Sequence, residues 1–179
     1  VGFFSFRKLL AEQRVGDVEV VVDSAVIAPS DSLPITVNFT PRKAGKINEI
    51  VATLTATETA VSGSGTNKST HTNHLYKLPF NLKIPTSFQA HQQVSCSGTI
   101  AIPDTDAYTF DTGDNEVSWS VKVKIDIPMW PDWLQDVHLR LVPRERLHRD
   151  ESSREILPPP PPPTRPKRRK KKSKAASRE

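Results

Sequence analysis

The residues that could do chemistry in this chain are few, and most sit where chemistry is hard to assemble. His71 and His74 invite a metal reading. On a strand, a spacing of three places them on opposite faces, where they cannot grip one ion. Zinc would also need further ligands, and the single cysteine, Cys96, is expected to point inward. A solvated polar strand is the better reading. Cys96 itself reads as a small core residue and not a nucleophile, and it can form no intrachain disulfide, which fits a reducing compartment. No Ser, His and carboxylate fall into a nucleophile motif, and seven glycines include no phosphate-cradling loop. The expectation is a protein that is not an enzyme and that carries no cofactor and no metal.

Recognition chemistry is better represented. Trp130 and Trp133 flank Pro131-Asp132 and are the candidates for a partner-binding aromatic anchor. The competing reading, the stronger one for Trp130, is that a ring seals the end of the fold. At the C-terminus Arg165, Lys167, Arg168, Arg169, Lys170, Lys171, Lys172 and Lys174 place eight basic residues in ten positions, a run able to meet an anionic membrane or nucleic acid. No aromatic residue is interleaved there, so base stacking adds nothing. A solubilising tail without a dedicated partner is the plain alternative. Pro158–Pro163 before it stiffens into a rod of roughly 19 Å at ~3.1 Å per residue. With Arg165 it also fits a PxxPxR docking pattern, although a spacer is the simpler reading.

The charge is unevenly divided. Residues 1–143 carry 12 basic and 15 acidic side chains, a net of −3, whereas residues 144–179 carry 13 and 5, a net of +8. The basic character of the whole therefore describes a tail. That tail, residues 144–179, cannot bury a core and is expected to be disordered when unbound.

The elements that must position these residues follow from hydrophobic period. Apolar and polar residues alternate through Val18–Val22, Leu33–Phe39, Ile50–Ala56, Leu78–Ile84, Cys96–Ile102, Val117–Ile127 and Val137–Leu141. Each such run has one dry and one wet face. The six apolar positions of Val117–Ile127 would scatter around a helix, so that segment is a strand. Pro34 and Pro79 fall on outward positions and suggest strand edges or bulges. The reading is an all-β, antiparallel, immunoglobulin-like sandwich of about seven or eight strands over residues 16–143.

Residues 1–15 read as a short amphipathic helix, from Phe6, Leu9, Leu10 and Gln13, ended by Gly16. The chain begins at Val1 and not Met, which fits an alternative start codon or a fragment. In the second case Phe3–Leu10 would be the cytoplasmic end of an upstream membrane span.

The order of these segments resembles the arrestin-like sandwich family, with its eukaryotic arrestin halves, a retromer subunit and bacterial sporulation-control proteins. Val18–Asp23 followed by Ala28-Pro29-Ser30-Asp31-Ser32 is similar to the opening strand and its turn. Thr70–Leu75 resembles the polar stretch entering the middle strand, and Phe80–Pro85 or Gly98–Pro103 the apolar-x-apolar-Pro end of the next. Glu116–Val121, running on to Pro128-Met129-Trp130-Pro131-Asp132, resembles the penultimate strand and Trp-Pro-Asp loop of bacterial members. The chain has one sandwich where arrestins have two, and no charges match their phosphate-sensing polar core. What the resemblance implies is a protein-interaction or trafficking scaffold on the cytoplasmic side of a membrane, without a cofactor.

The functional expectation is thus a non-enzymatic scaffold domain, cytoplasmic and held at an anionic membrane by its basic tail. It would bind an unidentified protein partner across a sheet face or by strand addition at an edge, and no small-molecule substrate is expected. The alternative, from a different class, is a nucleic-acid-associated protein whose polybasic tail supplies non-specific affinity.

Overall fold

The computed structural model describes residues 15–63, 67–85, 87–129 and 131–147. Nine strands follow in order: β1 (Val18–Val22), β2 (Val26–Ile27), β3 (Ser32–Phe39), β4 (Glu49–Ser62), β5 (Ser69–Asn81), β6 (Val94–Ala101), β7 (Phe110–Asp111), β8 (Asn115–Asp126) and β9 (Trp133–Leu141). They form a three-stranded sheet, β1-β3-β6, and a six-stranded sheet, β2-β9-β8-β4-β5 with β7 beside β8. All pairs are antiparallel except β2 with β9, which is parallel. The expected helix over residues 1–15 and the expected disorder of the tail lie outside the described residues, apart from Val15 and the helical turn at residues 144–147.

The alternating patterns build the core as the period requires. Val117, Trp119, Val121, Val123, Ile125 and Ile127 are all buried, and meet Leu33, Ile35, Val37 and Phe39 of the facing sheet in one apolar cluster. No polar or charged residue is buried among the described residues. Burying this one strand face is worth an upper estimate of order 10 kcal/mol. Cys96 lies in the same interior, and burial pushes its thiol pKa up, as expected of a core residue.

Small residues decide how the large ones meet. Ala56 of β4 registers with Trp119 of β8 on one side and Tyr76 of β5 on the other. With only a methyl group between them, the two rings lean together and stack, centroids 5.4 Å apart and planes 27° off parallel. The indole N–H of Trp119 then donates to the Ala107 carbonyl at 2.7 Å, so the buried polar tip is satisfied.

The turn at Ala28–Asp31 shows why its residues are there. The Asp31 amide donates to Ala28 O at 3.3 Å, Pro29 supplies a preset φ, and Ser30 takes φ 64°, as a type II turn demands. Asp31 Oδ2 accepts the Ala28 N–H at 2.9 Å, and Oδ1 takes Arg144 Nη2 at 2.7 Å. This turn carries the chain from one sheet to the other. At the opposite end Gly16 has φ 73°, and any Cβ there would run into the Thr40 carbonyl oxygen, so glycine is required.

The two prolines resolve differently from the edge-or-bulge expectation. Pro79 does lie on an edge strand, β5. Pro34 lies in β3, the central strand of its sheet. It is tolerated because Pro34 O, accepting from Asp23 N at 3.3 Å, faces the β1 side just beyond the last paired residue, Val22. The missing N–H falls where β1 has already ended.

Candidate functional site

Trp133 is buried in the interior, 2% exposed, opposite Ile125 across β8 and β9. It seals the end of the sheet, and the exposed-anchor reading does not hold for it. The physical reason is parity: Trp133, Leu139 and Leu141 share the inward face of β9. Trp130 lies outside the described residues, as do Arg165, Lys167, Arg168, Arg169, Lys170, Lys171, Lys172 and Lys174. Beside Trp130, Met129 is fully exposed in a turn with φ 63°. Asp132 reaches back to Lys124 at 3.5 Å.

His71 and His74 stand on opposite faces, as their spacing predicts. His71 registers with Ala60, whereas His74 registers with Thr57 and its Nδ1 lies 3.3 Å from Thr57 Oγ1. Among the described residues, no three His, Cys, Asp or Glu side chains gather as a metal ion requires.

What the fold presents instead is an open strand edge. β5 ends the six-stranded sheet, and its first six residues, Ser69–His74, are exposed in succession. With the facing half of β4, itself paired on its other side with β8, they form an arm of the sheet that stays partly or fully exposed. Which backbone groups of that arm are free follows from the ladder. Leu82 N donates to Ile50 O at 2.9 Å, so even-numbered residues of β4 turn their backbone toward β5. Val61 N donates to Asp114 O at 2.7 Å, so odd-numbered ones turn toward β8. Hydrogen-bonded residues of an antiparallel pair face each other. Hence Ser69, His71 and Asn73, registered with Ser62, Ala60 and Glu58, spend their N–H and C=O groups on β4. Thr70, Thr72 and His74 turn theirs to the open edge.

The two halves of this edge differ. In the second half a bulge displaces Leu75, where the register shifts between Ala56 and Thr57; Lys77 adds a charge; and Pro79, facing outward by the same parity, has no N–H. These are the devices by which edges resist pairing. The first half, Ser69–His74, has none of them.

Charge also distinguishes this edge: Lys68 and Lys77 flank the stretch, and between Glu58 and Asp104 the sequence contains no Asp or Glu. One edge strand of the other sheet, β1, is its opposite: five residues long and set among Asp17, Glu19 and Asp23. Sequence reading found the polar stretch Thr70–Leu75 but not its role. The signal was present in its alternating threonines, a strand-forming residue type at a stretch with no apolar face to give the period away.

No family model matches this sequence, and no curated protein does. Among solved structures, the sporulation control protein Spo0M from Bacillus subtilis is similar at a TM-score of 0.53 and 15% identity, over 78% of this chain and 54% of that one. This chain therefore spans about half the length of that protein. The likeness supports an arrestin-like β-sandwich as the fold. No helix among the described residues is long and apolar enough to cross a membrane.

Proposed function

We propose that this chain is a non-enzymatic interaction domain on the cytoplasmic side of an anionic membrane, with the sandwich as recognition module and the basic tail as tether. The observation that supports the reading is the division of charge: −3 over residues 1–143 against +8 over residues 144–179. An anionic surface attracts the tail, at ~1 kcal/mol for each basic residue near it, and leaves the acidic domain facing away. The open Ser69–His74 stretch of the β5 edge supports the recognition half of the proposal, since an unpaired strand is a template for another chain. The neighbouring structure's printed description, a sporulation control protein, bears on its own role and adds no partner here.

Co-sedimentation with phosphatidylserine-containing vesicles across a salt series, with and without residues 158–179, tests the tether. Pelleting that weakens with salt and is lost with the tail is the expected result. Equal pelleting of both proteins contradicts it. A parallel gel shift on arbitrary duplex DNA separates the nucleic-acid alternative: a tail-dependent shift at salt where vesicles no longer pellet the protein favours that reading instead.

A further inference from the structure

We infer that the Thr70–His74 edge of β5 takes up an extended acidic segment of a partner protein as an added strand. This deepens the interaction reading above and rests on it. Three consecutive outward-facing positions, Thr70, Thr72 and His74, offer three N–H and three C=O groups in one line, the requirement for a short added strand. The edge-blocking features begin only at Leu75, so the open stretch runs from the start of β5 at Ser69 to the bulge.

The occupant's chemistry follows from the charges around that stretch. Lys68 precedes it, Lys77 follows it, and both are exposed. Glu58, the acidic residue on β4 nearest the stretch, registers with Asn73 and lies on the opposite face from Thr57 and His74. A strand carrying carboxylates along one face would meet lysines at both ends of the site, while the nearest acids on that face, Glu116 and Asp111, lie two and three strands in from the edge. A second copy of β5 would bring like charges together and is disfavoured for that reason. The valines and acids of β1 leave that edge without the complementary charge.

The test uses the full chain and a defined probe: an end-capped, fluorescein-labelled peptide of four Glu-Thr repeats, followed by anisotropy. Three further peptides run beside it: one with Lys in place of Glu, one of four Gln-Thr repeats, and the acidic peptide N-methylated along its backbone. The last keeps every charge but cannot pair as a strand, which matters because the basic tail attracts any acidic peptide. The inference expects the unmodified acidic peptide to bind at least tenfold tighter than the N-methylated one and to shift the amide resonances of Thr70, Thr72 and His74. Thr72→Pro is expected to remove that preference without unfolding the domain, since Pro79 is already accommodated at an outward position of the same strand. Lys68→Glu with Lys77→Glu, which leaves the backbone intact, is expected to weaken the acidic peptide at least tenfold and to strengthen the Lys-Thr peptide.

Equal affinity for the methylated and unmodified peptides, or unmoved β5 resonances, overturns the inference and assigns the binding to the tail alone. Self-association that disappears with Thr72→Pro overturns it in favour of a second copy. None of these variants alters the tail, so vesicle pelleting by Thr72→Pro remains as in the parent protein, and the tether and the edge can each fail alone.

Discussion

Replacing Trp119 with Phe probes the point at which three elements meet. The indole stacks on Tyr76 over Ala56 and donates to the Ala107 carbonyl, anchoring the segment between β6 and β7 to the sheet. Phe keeps an aromatic face for Tyr76 but has no N–H and a smaller ring. An unsatisfied, part-buried carbonyl costs about 1–3 kcal/mol. The lost apolar atoms and the space they leave add about 1 kcal/mol. Together the change should destabilise the domain by about 2–4 kcal/mol, a fall in Tm of roughly 6–16 °C for a domain of this size. Urea denaturation followed by circular dichroism reads it. Benzothienylalanine at position 119, which retains the bicyclic ring without the N–H, isolates the hydrogen bond and should account for at least half the loss. A Trp119→Phe protein within about 0.5 kcal/mol of the parent refutes the arrangement, because neither the bond to Ala107 nor the filled volume could then be present.

Two further outcomes follow from the same interior. Val121→Asp puts an uncompensated carboxylate where Val121 is fully buried between Leu54 and Val137, and it should abolish the cooperative thermal transition. A transition near the parent's would show that face to be wet. Cys96, buried and with its pKa raised by that burial, should resist iodoacetamide at pH 8 in the folded protein and label on addition of urea. Its contribution to stability is fully present below the ordinary thiol pKa of about 8.5 and is lost as pH rises through the folded value, because the unfolded chain releases the proton first. Stability of Cys96→Ser that falls just as steeply above pH 9 would show the thiol to be uninvolved.

The parts of this fold that a sequence reveals are those with a dry side. Val117–Ile127 alternates because every second residue enters the core, and it is buried position by position as the pattern requires. The parts that stayed hidden have no such contrast. Ser69–His74 is exposed on both faces, so its strand character leaves no period. Val26–Ile27 is too short to show one, yet it moves the chain between sheets and makes the one parallel pair among the described residues. Pro34 looked like an edge residue because a proline advertises a missing donor; it cannot say that the neighbouring strand stops one residue early. Trp133 was ambiguous for a related reason, since one aromatic type serves both as core and as anchor, and only the parity of β9 decides between them. The open edge itself arises from strand order, a long-range property that no local pattern encodes.

The alternation of free and engaged amides along β5 is what the recognition proposal stands on, and hydrogen exchange followed by NMR reads it without any partner. The amides of Ser69, His71 and Asn73 should exchange at least tenfold more slowly than those of Thr70, Thr72 and His74, in strict alternation. Uniform protection through Ser69–His74, or a reversed alternation, would mean that another strand already lies there or that the register differs, and β5 would then have no edge to offer.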